Sequence, residues 1–213
     1  KSADKGNKIV VFTDDAYWAL VFEDGIEKQS IFTYISDIHE NVLAVKIDGP
    51  TKEDYVWGFR VGFITYGIKG GDAQLYSALE SKTAGAVRGN ISNAANISQS
   101  LLMQAYANED YDRQKEEKYD LLKTRYNAVK EALKDDKYKK YFEALPYNSG
   151  YFMCIQLAEG IDGEALRHLL IDKYSIGTIN LNNIIRLAFA AVAAKDMKQL
   201  FDGIYDACSE LKK

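Results

Sequence analysis

The sequence predicts an α/β chain: part of a sheet-based domain with helices on both faces, then a long connecting helix, then a small α+β domain. Three observations carry this. The run "KIVVF" near the start is apolar on both faces, as a strand with sheet neighbours on both sides and helices above and below must be. The segment "DYDRQKEEKYDLLKTRYNAVKEALK" is dense in charge yet repeats apolar residues at helical spacing. Beyond "ALPYNSG" the rhythm changes to strand, helix, strand, helix over a length that suits a small domain. The boundaries are placed at 1–109, 110–135 and 136–213.

Taken in order, "KIVVFT" is a parallel-type strand ending at Asp14, Asp15 and Tyr17. "EKQSIFTYISDIH" is a helix with Ile31, Tyr34, Ile35 and Ile38 on one face. "NVLAVKI" is the next strand, so the first unit is strand–helix–strand, parallel and right-handed. "GFRVGFITYG" follows too closely for a parallel crossover and is expected antiparallel to its neighbour. From Asp72 the pattern turns helical, with "DAQLYSALESKTAGAV" as one helix and "NAANISQSLLMQAYAN" as another after the Ser92-Asn93 cap signal. In the long charged helix, Tyr119, Leu122, Tyr126, Val129 and Leu133 form one narrow stripe, a pattern common in helices that bridge two domains. "YFMCIQL" (strand), "DGEALRHLLIDKY" (helix), "NIIRLAFA" (strand) and "AAKDMKQLFDGIYDACSELKK" (amphipathic helix) complete the chain.

The composition narrows the function classes. At 47% hydrophobic and 27% charged, the 213 residues are those of an ordinary globular protein. A net charge of −4 with both signs interspersed gives no basic stripe for nucleic acid. No apolar run approaches the roughly 20 residues of a membrane span, and the start lacks a signal-peptide apolar region. Cys154 and Cys208 lack metal spacing and are expected reduced and buried. A cytoplasmic protein fits best. The chain starts at Lys1 rather than Met and reaches a buried-type strand almost at once, which suggests entry partway through a domain.

Asp14 and Tyr17 follow the C-terminal end of a buried strand, the edge where ligands bind in open α/β sheets. Lys52 follows the next strand, so the three residues are expected to share one crevice. A lysine nucleophile has to lose its proton near neutral pH, which desolvation favours. Arg60, eight residues further on, offers a planar fork for a phosphate. Taken singly, each also has an ordinary reading: a solvated lysine, an Asp-Asp turn. His39 and His168 lie on expected helices without a partner pattern and are assigned surface or capping roles. Tyr55 and Trp57 are expected to pack around the lysine loop.

In combination, "DDAY" followed by "TKEDYVWGFRVGF" resembles the pyridoxal-phosphate-dependent aminotransferases of the class I/II group, the fold type I family that includes aspartate aminotransferase. The resemblance implies the C-terminal part of that family's large three-layer α/β/α domain, the connecting helix and the small domain. It implies that Asp14 binds the pyridine nitrogen and Tyr17 the ring's phenolic oxygen. Lys52 then carries the Schiff base to pyridoxal 5'-phosphate. Thr51 contacts the phosphate, as does Arg60 within Gly58-Phe59-Arg60-Val61-Gly62. Arg186 in "NIIRLAF" corresponds to the arginine that grips the substrate α-carboxylate. "VRGNISNAA" is similar to the segment whose arginine reaches the partner subunit's site, which would make Arg88 a selector of dicarboxylates. Two departures stand out. Ala94-Ala95 follow Asn93 where aspartate aminotransferases usually carry Pro-Pro, and Gly49 stands where those enzymes often have a phosphate-binding serine.

The implied function is amino-group transfer between an amino acid and a 2-oxo acid in a homodimer, with neither nucleic acid nor membrane as partner. Family members are roughly twice this length, so the expectation is a C-terminal fragment that lacks the upstream phosphate-cradling loop, the stacking aromatic ring and an asparagine. Such a fragment is expected to bind the cofactor weakly, to be inactive alone, and to associate through its open first-strand edge. The same residues suit a β-lyase or a condensing enzyme of the same fold. An aminotransferase-like effector domain of a transcription regulator is the reading from another class.

Overall fold

β-Branched and aromatic residues in short apolar runs build the first sheet of the computed structural model, which describes residues 1–212. Its elements are β1 (Ile9–Asp14), α1 (Ile31–Ile35), β2 (Val42–Asp48), α2 (Pro50–Glu53), β3 (Phe63–Gly67), α3 (Ala73–Asn90) and α4 (Asn96–Tyr106). The sheet order is β1-β2-β3, with β1 parallel and β3 antiparallel to β2, as the sequence pattern requires. Asp14 pairs with Ile47, and Asp48 with Phe63. The C-terminal ends of β1 and β2 and the start of β3 therefore lie at one level of the sheet. Ala44 and Val45 on the central strand are buried, whereas Val10 and Phe12 on β1 are exposed.

Two expectations change here. The helix foreseen over residues 27–39 contracts to the five residues of α1, opened by the Ser30 hydroxyl accepting from the Phe32 amide at 3.0 Å. Ile31, Tyr34 and Ile38 of the foreseen stripe are exposed, and past Ser36 the chain leaves the helix in a turn in which the Ile38 amide donates to the Ile35 carbonyl at 3.3 Å. The strand foreseen from Gly58 begins only at Phe63. Before it come a 3-10 turn over Trp57–Phe59 and a left-handed Arg60 (φ 56°), which no strand accommodates.

The remaining elements are α5 (Tyr111–Ala132), β4 (Phe142–Ala144), β5 (Met153–Leu157), α6 (Gly163–Tyr174), β6 (Ile179–Leu181), β7 (Ile184–Leu187) and α7 (Met197–Leu211). The second sheet, ordered β4-β5-β7-β6, is antiparallel throughout. The strands β4 and β6 are additions to the sequence reading, since three residues show no alternation. The buried side chains of this part include Phe142, Ile155, Leu166, Ile185, Phe201 and Ile204. On α5 the buried positions are Leu122, Tyr126 and Val129, three of the five in the foreseen stripe. Cys208 is buried and its thiol is pushed up to about 12 by desolvation; Cys154 is half-buried, and both are free.

By its contacts the chain divides into two units, Lys1–Val21 with Gly25–Asp112, and Phe22–Asp24 with Arg113–Lys213. In the second unit Asp202 joins several groups. Tyr138 donates its hydroxyl at 2.7 Å, and the ammonium groups of Lys137 and Lys198 lie at 2.6 and 2.8 Å. Burial works against the charge, but these donors outweigh it and hold the carboxyl well below the usual carboxylate range. A carboxylate whose folded pKa lies below its unfolded value, about 3.9, stabilises fully above that value and loses its contribution as pH falls through the folded one. Thermal unfolding followed by circular dichroism should therefore give Asp202→Asn a flatter loss of Tm than the parent below about pH 4. Parallel curves for the two proteins would rule this network out as a source of acid sensitivity.

Candidate active site

The shared level of the strand ends places a pocket of about 400 Å³ beyond β1 and β2. Asp14, Gly49, Thr51, Lys52, Arg60 and Gly62 are among the residues that line it. Four of the foreseen site residues (Asp14, Thr51, Lys52 and Arg60) thus share one wall system. Asp14 ends β1, and one of its carboxylate oxygens accepts from the Ala16 amide at 3.1 Å, an Asx-type turn that fixes the side chain. Tyr17, just past that turn, does not line the pocket, but the Lys52 ammonium lies 5.7 Å from the centre of its ring. At that distance the ring offers the ammonium a cation–π contact.

Lys52 sits on α2, a single helical turn that Pro50 opens, and is half-buried. The Thr51 hydroxyl donates to the Val61 carbonyl at 3.4 Å, tying the turn to the returning chain. Gly49 explains why the turn sits where it does. A Cβ there would come within 2.9 Å of the Val61 oxygen and 3.0 Å of Gly62 Cα, so only a residue without a side chain lets the two backbones cross. The glycine that departs from the resembled family is therefore dictated by this crossing, which leaves no room for a serine.

Between Lys52 and β3 the backbone is strained twice. Tyr55 (φ 60°) and Arg60 (φ 56°) are both left-handed, a conformation that bulky residues hold only when surrounding contacts impose it. The Arg60 guanidinium donates to the Trp57 carbonyl at 3.2 Å and is otherwise exposed at the pocket rim. Of the two aromatic residues foreseen as packing around this loop, Tyr55 is half-buried but Trp57 is largely exposed.

Arg88 lies in the last turn of α3, exposed and bonded to the Ser92 hydroxyl, away from the pocket lining. Arg186 belongs to the second unit. It lies on β7 opposite Cys154 and Ile179, with its guanidinium 4.6 Å from the centre of the Phe152 ring. Its Nε is buried and has no acceptor among the described residues. His39, expected on a helix, lies beyond the end of α1 and accepts from the Asn41 amide, whereas His168 is exposed on α6. No group of metal-ligating side chains occurs among the described residues, and no described helix is long and apolar enough to cross a membrane.

The residues present fit pyridoxal 5'-phosphate by their chemistry: an amine, a guanidinium and hydroxyl for a phosphate, and a carboxylate for a protonated ring nitrogen share one concavity. A family model described as aminotransferase class I and II matches residues 3–204. Solved structures with a similar fold include an aminotransferase from Anaerococcus prevotii, with TM-score 0.78, 24% identity, and coverage of 96% of this chain and 48% of that one. An α-aminoadipate aminotransferase from Thermus thermophilus, complexed with N-(5'-phosphopyridoxyl)-L-leucine, aligns with TM-score 0.72, 18% identity and coverage of 99% and 52%. A kynurenine aminotransferase from Pyrococcus horikoshii, in complex with PMP, gives TM-score 0.71, 19% identity and coverage of 100% and 50%. The chain spans about half the length of these structures. No curated protein matches it.

The crossing at Gly49 yields a direct test. Gly49→Ala forces a backbone shift and should cost about 1–3 kcal/mol of stability in urea titrations. Gly58→Ala, in the same loop but with nothing within 4 Å of the added carbon, should leave the unfolding free energy within about 0.5 kcal/mol of the parent's. Equal midpoints for the two variants would show that the crossing relaxes freely.

Proposed function

Because the chain belongs to the aminotransferase class I and II family, we propose that it serves amino-group transfer between an amino acid and a 2-oxo acid, with Lys52 as the attachment point for pyridoxal 5'-phosphate. The observation that carries this reading is the gathering of Asp14, Thr51, Lys52 and Arg60 around one pocket. When bound, the cofactor supplies the electron sink for the substrate's α-carbon.

The chain's own residues supply the rest. Lys52 Nζ would hold the cofactor and would carry the proton taken from the substrate α-carbon. Asp14 holds a proton on the ring nitrogen by opposite charge, and Tyr17 donates to the ring oxygen. Arg60 and the Thr51 hydroxyl would take the phosphate; the guanidinium supplies charge, and the hydroxyl a directed hydrogen bond once its proton turns from the Val61 carbonyl. The unmatched Nε of Arg186 supports a role in binding the substrate α-carboxylate. Arg88, exposed at the end of its helix, is assigned the distal carboxylate of a dicarboxylic substrate in a partner subunit's site, which makes a homodimer part of the proposal. A cytoplasmic location accords with the metabolites such an enzyme exchanges. Since the chain spans about half the length of the structures it resembles, residues 1–213 alone are proposed to hold the cofactor weakly and to turn over poorly.

Incubation with pyridoxal 5'-phosphate, borohydride reduction and peptide mass spectrometry should place the pyridoxyl group on Lys52. Lys52→Ala should lose that adduct, and Arg60→Ala should reduce its yield about tenfold or more at limiting cofactor, as loss of a charge-assisted phosphate contact requires. Label spread evenly over exposed lysines, with none preferred at position 52, would overturn the assignment.

A further inference from the structure

The turn that carries Lys52 is too short to hold itself. A four-residue helix is far below the length at which helix formation stabilises itself, so its orientation has to come from contacts outside it. Beside the Thr51 bond to Val61, Asp54 provides two of them. Its amide closes the turn onto the Pro50 carbonyl at 3.0 Å, so its main chain belongs to the turn itself. Its side chain reaches elsewhere. One carboxylate oxygen accepts the Tyr106 hydroxyl at 2.9 Å, and the other accepts the Tyr111 hydroxyl at 2.5 Å.

The two phenols come from different elements. Tyr106 is the last residue of α4 and Tyr111 the first of α5, and their rings meet edge to face with centroids 5.2 Å apart and planes at 81°. This is a favoured geometry for an aromatic pair, so each ring braces the other. Burial and the neighbouring carboxylate raise the Tyr106 hydroxyl above its ordinary range, which keeps it a donor. Immediately after Asp54 the chain enters the left-handed Tyr55, a strained conformation that persists only where its neighbours are fixed. Nothing in the spacing of the Lys52 motif announces this arrangement, because the partners lie 52 and 57 residues downstream.

We propose that Asp54, gripped by Tyr106 and Tyr111, is a positioning residue that fixes the direction of the Lys52 turn; this rests on the reading of Lys52 as the cofactor's attachment point. The carboxylate acts through the turn and touches neither substrate nor cofactor. A bidentate acceptor with two braced donors removes the rocking freedom that one hydrogen bond would leave.

The test compares the parent with Tyr106→Phe/Tyr111→Phe, which removes both hydroxyls and keeps both rings, and with each single variant in case the double does not fold. Amide hydrogen exchange needs no cofactor and reports on the turn itself. Exchange over residues 51–56 should rise about tenfold in the double variant, with β2 amides of the same sample unchanged as the control for folding. In parallel, trapping with pyridoxal 5'-phosphate and borohydride should lose about tenfold of its preference for Lys52 over exposed lysines. Asp54→Asn, which keeps one acceptor oxygen, should fall between parent and double variant in both readouts. Unchanged exchange overturns the proposal whatever the labelling. Raised exchange with undiminished preference for Lys52 overturns it as well. If the parent itself shows no preference for Lys52, the functional assignment fails, and exchange alone decides whether the clamp orients the turn.

Discussion

The parallel ladder between β1 and β2 sets Asp14 against Ile47, and the rest of the candidate site depends on that pairing. In a parallel pair both strands finish at the same edge, so the segments that follow them start side by side. The antiparallel return of β3, with Phe63 against Asp48, brings the chain back to this edge from the opposite direction. One sheet edge thereby receives an acidic residue from the first strand, a lysine from just after the second, and an arginine from just before the third. A shift of one residue in the β1–β2 register would turn Asp14 to the other face of the sheet.

What lies between the strands is governed by proximity more than by regular structure. The chain leaves β2 at Asp48, passes under Val61 and Gly62 at Gly49, makes one helical turn, and then takes two left-handed residues before β3. Such strain costs on the order of 1–3 kcal/mol per residue and survives only where the surroundings over-determine it. The Gly49 crossing holds the start of this segment, the Thr51 bond ties its first turn to the return, and the Asp54 side chain holds its middle. The lysine is therefore presented by a segment fixed at several points.

Much of this is legible in the sequence, and for identifiable reasons. Residues 9–14 and 42–48 are dense in apolar and β-branched residues, and the short gap before the third strand forces an antiparallel return. The spacing of Asp14, Tyr17, Lys52 and Arg60 points to one pocket, which gathers all of these except Tyr17. Other features are hidden. The helical stripe at Ile31, Tyr34 and Ile38 has the right period, yet the helix spans only Ile31–Ile35, because period alone does not report where a helix starts and stops. Strands of three residues, β4 and β6, carry too little alternation to register. The roles of Gly49 and Asp54 arise from backbone crossing and from tyrosines 52 and 57 residues away, neither of which a local pattern encodes.

The exposure of Val10 and Phe12 on β1 has a practical side. Among the described residues β1 is hydrogen-bonded to a neighbour on one flank only, and its outward-facing side chains are large and apolar. Strands of this kind recruit further strands unless something blocks them. This open flank belongs to the same ladder that assembles the site. A lysine or proline introduced near Val10 would be the conservative way to keep the material dispersed while leaving the pocket edge untouched.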